Sequence, residues 1–172
     1  MPKIVTAKRR EGEVERARLY LKGRLMFPTI PLGMVALLAG YGGVALMWFQ
    51  DELTPGALLG STLLFFFGVT LGWCHVRYER YLVKAYPEYL ARKQKLLDAA
   101  KEFKRSKRDL PNTTPDHAGR RLVLIAYALG ACAQFGVGGY YLDQVGVYPA
   151  FFLPWAGYFI AKVIFWRDLF AS

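Results

Sequence analysis

Apolar and charged residues are segregated along this chain. Four long stretches contain no Asp, Glu or Arg, and their only Lys and His residues are Lys162 and His75. A run of about 18 or more apolar residues, rising about 1.5 Å per residue as a helix, can cross a hydrocarbon core of roughly 30 Å. Four such runs leave too little polar surface for a soluble bundle. The pattern predicts an all-α integral membrane protein with four transmembrane helices, at residues 27–49, 56–76, 122–142 and 147–166.

The basic residues lie in alternate connections between these helices. Of the 23 Lys and Arg residues, eight precede the first helix, thirteen lie between the second and third, and Lys162 and Arg167 complete the set. The connections 51–55 and 143–147 contain no Lys or Arg. Because positive charge collects on the cytoplasmic side, we expect both termini in the cytoplasm or an organellar matrix. The expected location is a bacterial cytoplasmic membrane or an organellar (mitochondrial) inner membrane.

These boundaries divide the chain into five segments. A basic N-terminal segment (1–26) and a short C-terminal tail (168–172) lie outside two transmembrane hairpins (27–76 and 122–167). A long basic connection (77–121) joins the two hairpins. The expected organisation is therefore two membrane hairpins with most of their soluble residues on one side.

The basic connection is predicted to contain an amphipathic helix. Pro87 is expected to end a helical stalk that continues the second transmembrane helix, and another helix follows to about residue 108. Leu90 and Leu97 lie on its apolar face, and basic residues surround that face. Such a helix can lie on anionic lipid headgroups or dock onto a partner, whereas nucleic-acid binding is not expected. The candidate lipid- or partner-binding residues on it are Lys93, Lys101, Lys104 and Arg105.

Small residues predict where the membrane helices contact each other or other integral membrane subunits. Residues four positions apart share one helix face, and small side chains let two helix backbones approach closely. Gln134, near the middle of the third helix, is a strongly polar side chain that needs a hydrogen-bond partner in hydrocarbon. The candidate helix-packing residues are Gly68, Gly72, Gly157, Ala161 and Gln134.

Lys162 lies in the last predicted helix, about 7 Å along the axis from Arg167. A flexible lysine at that depth can extend its ammonium group to the inner interface, where Trp166 is expected as an aromatic anchor. This depth also places Lys162 and Arg167 within reach of a lipid headgroup or a partner. Pro154 is expected to kink this helix and shape a small cleft beside Trp155.

Chemistry-bearing motifs are scarce in the sequence. His75 and His117 lack neighbouring ligands at metal-site spacing, and no Asp or Glu lies within a predicted membrane segment. Glycine patterns of nucleotide-binding loops and nucleophile elbows are also absent from the sequence. We therefore expect no catalytic residue, no metal site and no cofactor.

Three functions are compatible with these features. The first is a noncatalytic accessory or scaffold subunit of a larger membrane complex, for example an energy-transducing one, whose partners are lipids and other integral membrane subunits. The second is a small homo-oligomeric transporter or lipid-handling protein that uses Gln134, Pro154, Trp155 and Lys162 around a cleft. The third is a membrane enzyme at the inner interface, with His75, Glu79 and either Arg77 or Arg80 as its polar residues.

Overall fold

The computed structural model describes residues 2–103 and 120–167, and these ranges contain helices and no strand. A π-helical turn, Leu25–Thr29, joins the first two helices and contains Pro28. A proline ring clashes with the carbonyl four residues earlier in a regular α-helix, and a wider turn relieves that clash. The α-helices are α1 (Pro2–Arg24), α2 (Ile30–Phe49), α3 (Pro55–Ala85), α4 (Pro87–Phe103), α5 (Arg120–Val145) and α6 (Val147–Phe165).

Four helices are long and apolar enough to cross a membrane, as the sequence predicts. The bounds of α2, α5 and α6 agree with the predicted transmembrane helices to within a few residues. The second predicted helix continues beyond the membrane segment as far as Ala85, and α4 begins at Pro87. The candidate spans are Arg10–Phe49, Pro55–Ala85, Arg121–Val145 and Val147–Phe165.

The described residues form two compact units. The amphipathic unit contains residues 2–24 and 77–103, and the apolar unit contains residues 25–76 and 120–167. The apolar unit contains every uncharged stretch that the sequence predicts to cross the membrane. The two units are described separately below.

In the amphipathic unit, α1 packs against α4 and the last turns of α3 complete the core. Charged side chains such as Arg16 and Arg92 are exposed, whereas Glu79 is buried, and the buried apolar side chains are small or aliphatic. A guanidinium N–H of Arg10 donates a hydrogen bond to the Lys84 carbonyl over 3.4 Å. The buried core residues are Ala17, Leu21, Leu82, Val83, Leu90 and Ala91.

In the apolar unit, α6 is the helix that the other three contact. One face of α2, formed by Gly33, Ala36, Gly40 and Gly43, is buried. A side chain at Gly40 would collide with Leu153 of α6, since a Cβ built there lies 2.7 Å from its Cδ2. Glycine on this face therefore allows the α2 backbone to lie directly on α6.

Helix α5 packs at the edge of this bundle. A Cβ at Gly60 of α3 would lie 2.8 Å from Val145 of α5, and Leu64, Val145, Ala150 and Leu153 form a buried cluster. Only Gly146, with φ +75°, separates α5 from α6. Glycine adopts this left-handed backbone conformation without the steric cost of a side chain. Most side chains of α5 are nevertheless exposed.

Candidate functional site

A cavity of about 150 Å³ lies between α5 and α6 in the apolar unit. Gln134 and Phe135 of α5 line it together with Phe151 and Trp155 of α6. The Phe135 and Phe151 rings are 6.4 Å apart, centre to centre, and Trp155 stacks on Phe159 with an angle of 27° between the ring planes. Three aromatic rings therefore contribute to the wall of the cavity, together with small and aliphatic residues.

Pro154 and Gly138 determine how closely the two helices approach beside this cavity. Because Pro154 has no backbone N–H, the carbonyl of Ala150 loses its helical donor. That carbonyl oxygen lies against Gly138, only 3.0 Å from where a Cβ would stand. A larger residue at 138 would push the two helices apart, so glycine there keeps the cavity narrow.

Gln134 is the polar residue of the cavity. Its side chain is 7% exposed, and its Nε2 atom is buried without a hydrogen-bond partner among the described residues. The residue lies near the middle of α5, about 21 Å along the axis from Arg120 and about 16 Å from Val145. A buried amide donor without an acceptor is energetically costly, and a bound acceptor would relieve that cost.

A second polar group, the His75 cluster, consists of His75, Tyr127, Tyr158 and Lys162 in the apolar unit. The Tyr158 hydroxyl and His75 Nδ1 are hydrogen-bonded over 3.1 Å, with the donor set by the histidine tautomer. The Tyr127 ring centre is 5.0 Å from that of His75. The Lys162 Nζ lies 5.9 Å from the Tyr158 ring centre, within range of a cation–π contact.

The sequence predicts that the Lys162 amine extends to the membrane interface. In the structure the Lys162 side chain is packed among protein groups and is 5% exposed. Trp166, expected as an interface anchor, is likewise 6% exposed. Arg167 is exposed, as a contact with lipid or a partner would require.

The predicted packing residues on α3 and α6 face each other. A Cβ built on Gly68 would collide with the Pro154 carbonyl, and one on Gly157 with the Phe65 carbonyl. A Cβ on Gly72 would lie 2.6 Å from the Tyr158 carbonyl oxygen and 2.8 Å from the Ala161 side chain. The two backbones are thus in direct contact along this face. Gln134 lies apart from them, in the cavity between α5 and α6.

The basic residues predicted to bind lipid or a partner are only partly described. Lys93 is half-buried and its Nζ lies 4.5 Å from the Tyr89 ring centre. Lys101 lies on α4, but its side chain is outside the description, and Lys104 and Arg105 are outside the described residues. Leu90, on the apolar face of α4, is buried in the amphipathic unit. Part of that apolar face is therefore covered within the chain.

The residues considered for an enzyme site divide between the two units. His75 belongs to the apolar unit, whereas Arg77, Glu79 and Arg80 belong to the amphipathic unit. Glu79 is buried, and both arginines are exposed. The sequence interpretation missed Tyr158 as the hydrogen-bond partner of His75. The two residues are 83 positions apart, and nothing in their local patterns links them.

Among the described residues, no group of three or more His, Cys, Asp or Glu side chains could hold a metal ion. Cys74 and Cys132 are both free thiols and both exposed. Comparison with protein-family models, with curated proteins and with solved structures found no match to this chain.

Proposed function

We propose that the chain is a noncatalytic integral subunit of a larger membrane complex and that α5 is the helix that docks it. The proposed arrangement is two transmembrane hairpins with both termini on the inner side. The proposed membrane is a bacterial cytoplasmic membrane or an organellar inner membrane. The observation that carries the proposal is a face of small residues on α5 that the described part of the chain does not cover.

That docking face consists of Ala128, Cys132 and Gly136, which recur every four residues and share one side of α5. All three are exposed, and a Cβ built on Gly136 would meet nothing within 4 Å. They lie on the side of the helix opposite Gln134 and the residues packed against α3 and α6. An exposed glycine in a helix costs roughly 1 kcal/mol relative to alanine, and no contact within the described chain offsets that cost.

The buried faces of the same protein indicate what such a pattern does. Small residues on α2 pack against α6, and small residues on α3 and α6 bring those two backbones into contact. In lipid, where hydrophobic burial does not drive helix association, small residues favour close packing instead. The docking face repeats this pattern, and residues 2–103 and 120–167 provide no helix that packs on it. This supports a transmembrane helix of another subunit as the occupant.

The test is extraction of the tagged full chain from its native membrane in mild detergent, followed by mass and composition analysis. We expect the wild-type protein in a fixed ratio with larger integral membrane partners. Gly136→Leu should lose those partners because the added side chain separates the backbones. Gly42→Leu is the matched control, since Gly42 is also exposed on a membrane helix with nothing within 4 Å of its Cβ position.

Two results would contradict the subunit proposal. One is recovery of the wild-type protein alone or as a small homo-oligomer. The other is equal retention of partners by Gly136→Leu and Gly42→Leu.

A second candidate function, a small homo-oligomeric transporter or lipid-handling protein, is favoured by the cavity beside Gln134 and Trp155. The sequence predicts both residues as part of a substrate cleft. Recovery as a homo-oligomer with bound lipid, together with transport or lipid exchange that Gln134→Leu abolishes, would favour this function over the subunit role.

A further inference from the structure

We infer that the C-terminal end of α3 is a binding site for the headgroup of an anionic phospholipid. The site consists of Arg77, Arg80, Tyr81 and Lys84 of α3 together with Arg10 of α1, all within the amphipathic unit. The inference goes beyond the proposed subunit role and depends only on α3 crossing the membrane.

The four α3 residues of this site share one exposed face of the helix. They are three, four or seven positions apart, which is the spacing of neighbours on one side of an α-helix. All four side chains are exposed, Tyr81 at 52%, whereas Glu79, Leu82 and Val83 on the other side of the helix are buried. The end of α3 therefore turns its basic face outward and its apolar face into the amphipathic unit.

The depth of this face matches the headgroup layer of a bilayer. Helix α3 is continuous over Pro55–Ala85, and its predicted membrane segment ends at residue 76. A bilayer of about 40–45 Å with a hydrocarbon core of roughly 30 Å leaves about 5–8 Å of headgroups on each side. Along the helix axis, Arg80 lies about 4.5 Å and Lys84 about 10.5 Å beyond Arg77. Both arginines and Tyr81 are therefore at headgroup depth, and the flexible Lys84 side chain can extend back toward that layer.

The charge of the face selects an anionic lipid. Arg77, Arg80 and Lys84 are cationic, and Glu79, the one acidic residue of the sequence between 77 and 85, is buried. Arg10 adds a fourth cation, because its guanidinium donates a hydrogen bond to the Lys84 carbonyl over 3.4 Å. Arginine also suits phosphate oxygens, since its N–H groups can donate two parallel hydrogen bonds to them. A phospholipid with a net negative headgroup therefore fits this face better than a zwitterionic one.

The test is native mass spectrometry of the full chain in detergent micelles, titrated with dioleoylphosphatidylglycerol or with zwitterionic dioleoylphosphatidylcholine. We expect the anionic lipid to bind more tightly. The double variant Arg77→Gln/Arg80→Gln should raise its apparent Kd about 25-fold, or about fivefold for each cation near an anionic headgroup. Arg92→Gln/Lys95→Gln is the matched control, because it removes the same charge from exposed positions on α4. The control should change the Kd far less.

A second double variant separates the charge of the arginines from their part in folding. Arg77→Lys/Arg80→Lys keeps both cations and should retain most of the affinity, with helicity by circular dichroism equal to that of the Gln variant. An equal loss of affinity in the Lys and Gln variants would contradict recognition by charge. An excess of inorganic phosphate should leave the lipid bound, because the acyl chains also hold the lipid against the membrane helix.

Three further results would overturn the inference: equal affinity for the two lipids, equal loss of affinity in the α3 and α4 Gln variants, or displacement of the lipid by inorganic phosphate. The last result would identify a site for free phosphate. The subunit proposal is tested separately, because Gly136→Leu alters the docking face and leaves these basic residues intact. That variant should bind phosphatidylglycerol as the wild-type protein does.

Discussion

Gln134 is a buried polar side chain that we expect to reduce the stability of the folded protein. Its Nε2 atom is buried without a partner among the described residues, so the folded chain loses the amide's hydration without gaining a hydrogen bond. We expect Gln134→Leu to raise the free energy of unfolding by about 1 kcal/mol, measured by thermal denaturation in detergent without ligand. Gln144→Leu, at an exposed position, should leave it unchanged. A less stable Gln134→Leu variant would mean that the amide has a partner and that the cavity has no vacant donor.

The Tyr158 hydroxyl, by contrast, has a hydrogen-bond partner. It is hydrogen-bonded to His75 over 3.1 Å, in a part-buried environment. Tyr158→Phe removes that bond and leaves the ring in place, so the unfolding free energy should fall by about 1 kcal/mol. Tyr148→Phe on the same helix is the control, because Tyr148 is 58% exposed. Equal thermal shifts for the two variants would show that the hydrogen bond contributes nothing.

At the scale of helices, the contact between α3 and α6 depends on glycine. A Cβ at Gly68 would occupy the space of the Pro154 carbonyl, and neither backbone can yield without separating the helices. We expect Gly68→Ala to destabilise the protein by about 1–3 kcal/mol through overpacking. Gly42→Ala should stabilise it by up to about 1 kcal/mol, because alanine is the better helix former and the space is open. Thermal denaturation of both variants measures these changes in stability. A change of the same sign in the two variants would contradict this account.

The sequence predicts helices better than it predicts the faces that they bury. Uncharged length determined the membrane helices, and Pro87 marked the start of α4, because both signals are local. The helical structure of the N-terminal segment was missed. Its apolar positions Val14, Ala17 and Leu21 recur at helical spacing but are sparse among charges, and they become a core only through packing in the amphipathic unit.

Side-chain environments within the membrane helices could not be predicted for a related reason. Depth along a helix follows from residue number, so the sequence placed Lys162 and Trp166 near the inner boundary. Whether a side chain at that depth faces lipid or protein depends on which helix is central, and the packing of α6 buries both. The cavity is another case: the sequence indicated Gln134, Pro154 and Trp155 as parts of a cleft, but its aromatic lining results from the packing of α5 on α6.

For the whole molecule, charge and packing lead to the same proposed topology. All Lys and Arg residues except Lys162 lie in segments that the positive-inside rule assigns to one side. Independently, α1 packs against α4, although α2 and α3 lie between them in the chain. With the amphipathic unit on one side of the membrane, as proposed, the chain between α1 and α4 would cross the membrane an even number of times, as in a hairpin of α2 and α3.

This topology predicts which sites a membrane-impermeant maleimide can reach in right-side-out vesicles. In a background with Cys74→Ala and Cys132→Ala, we expect Asp143→Cys to be labelled directly, because Asp143 is exposed in the last turn of α5, beside the proposed outer connection. Lys93→Cys should be labelled only after permeabilisation, because α4 carries basic residues on the inner side. Direct labelling of Lys93→Cys would place α4 outside and contradict the charge rule for this chain. If neither site is labelled directly, the connection between α5 and α6 does not lie on the outer side. That result would contradict the proposal that each pair of membrane helices forms a hairpin.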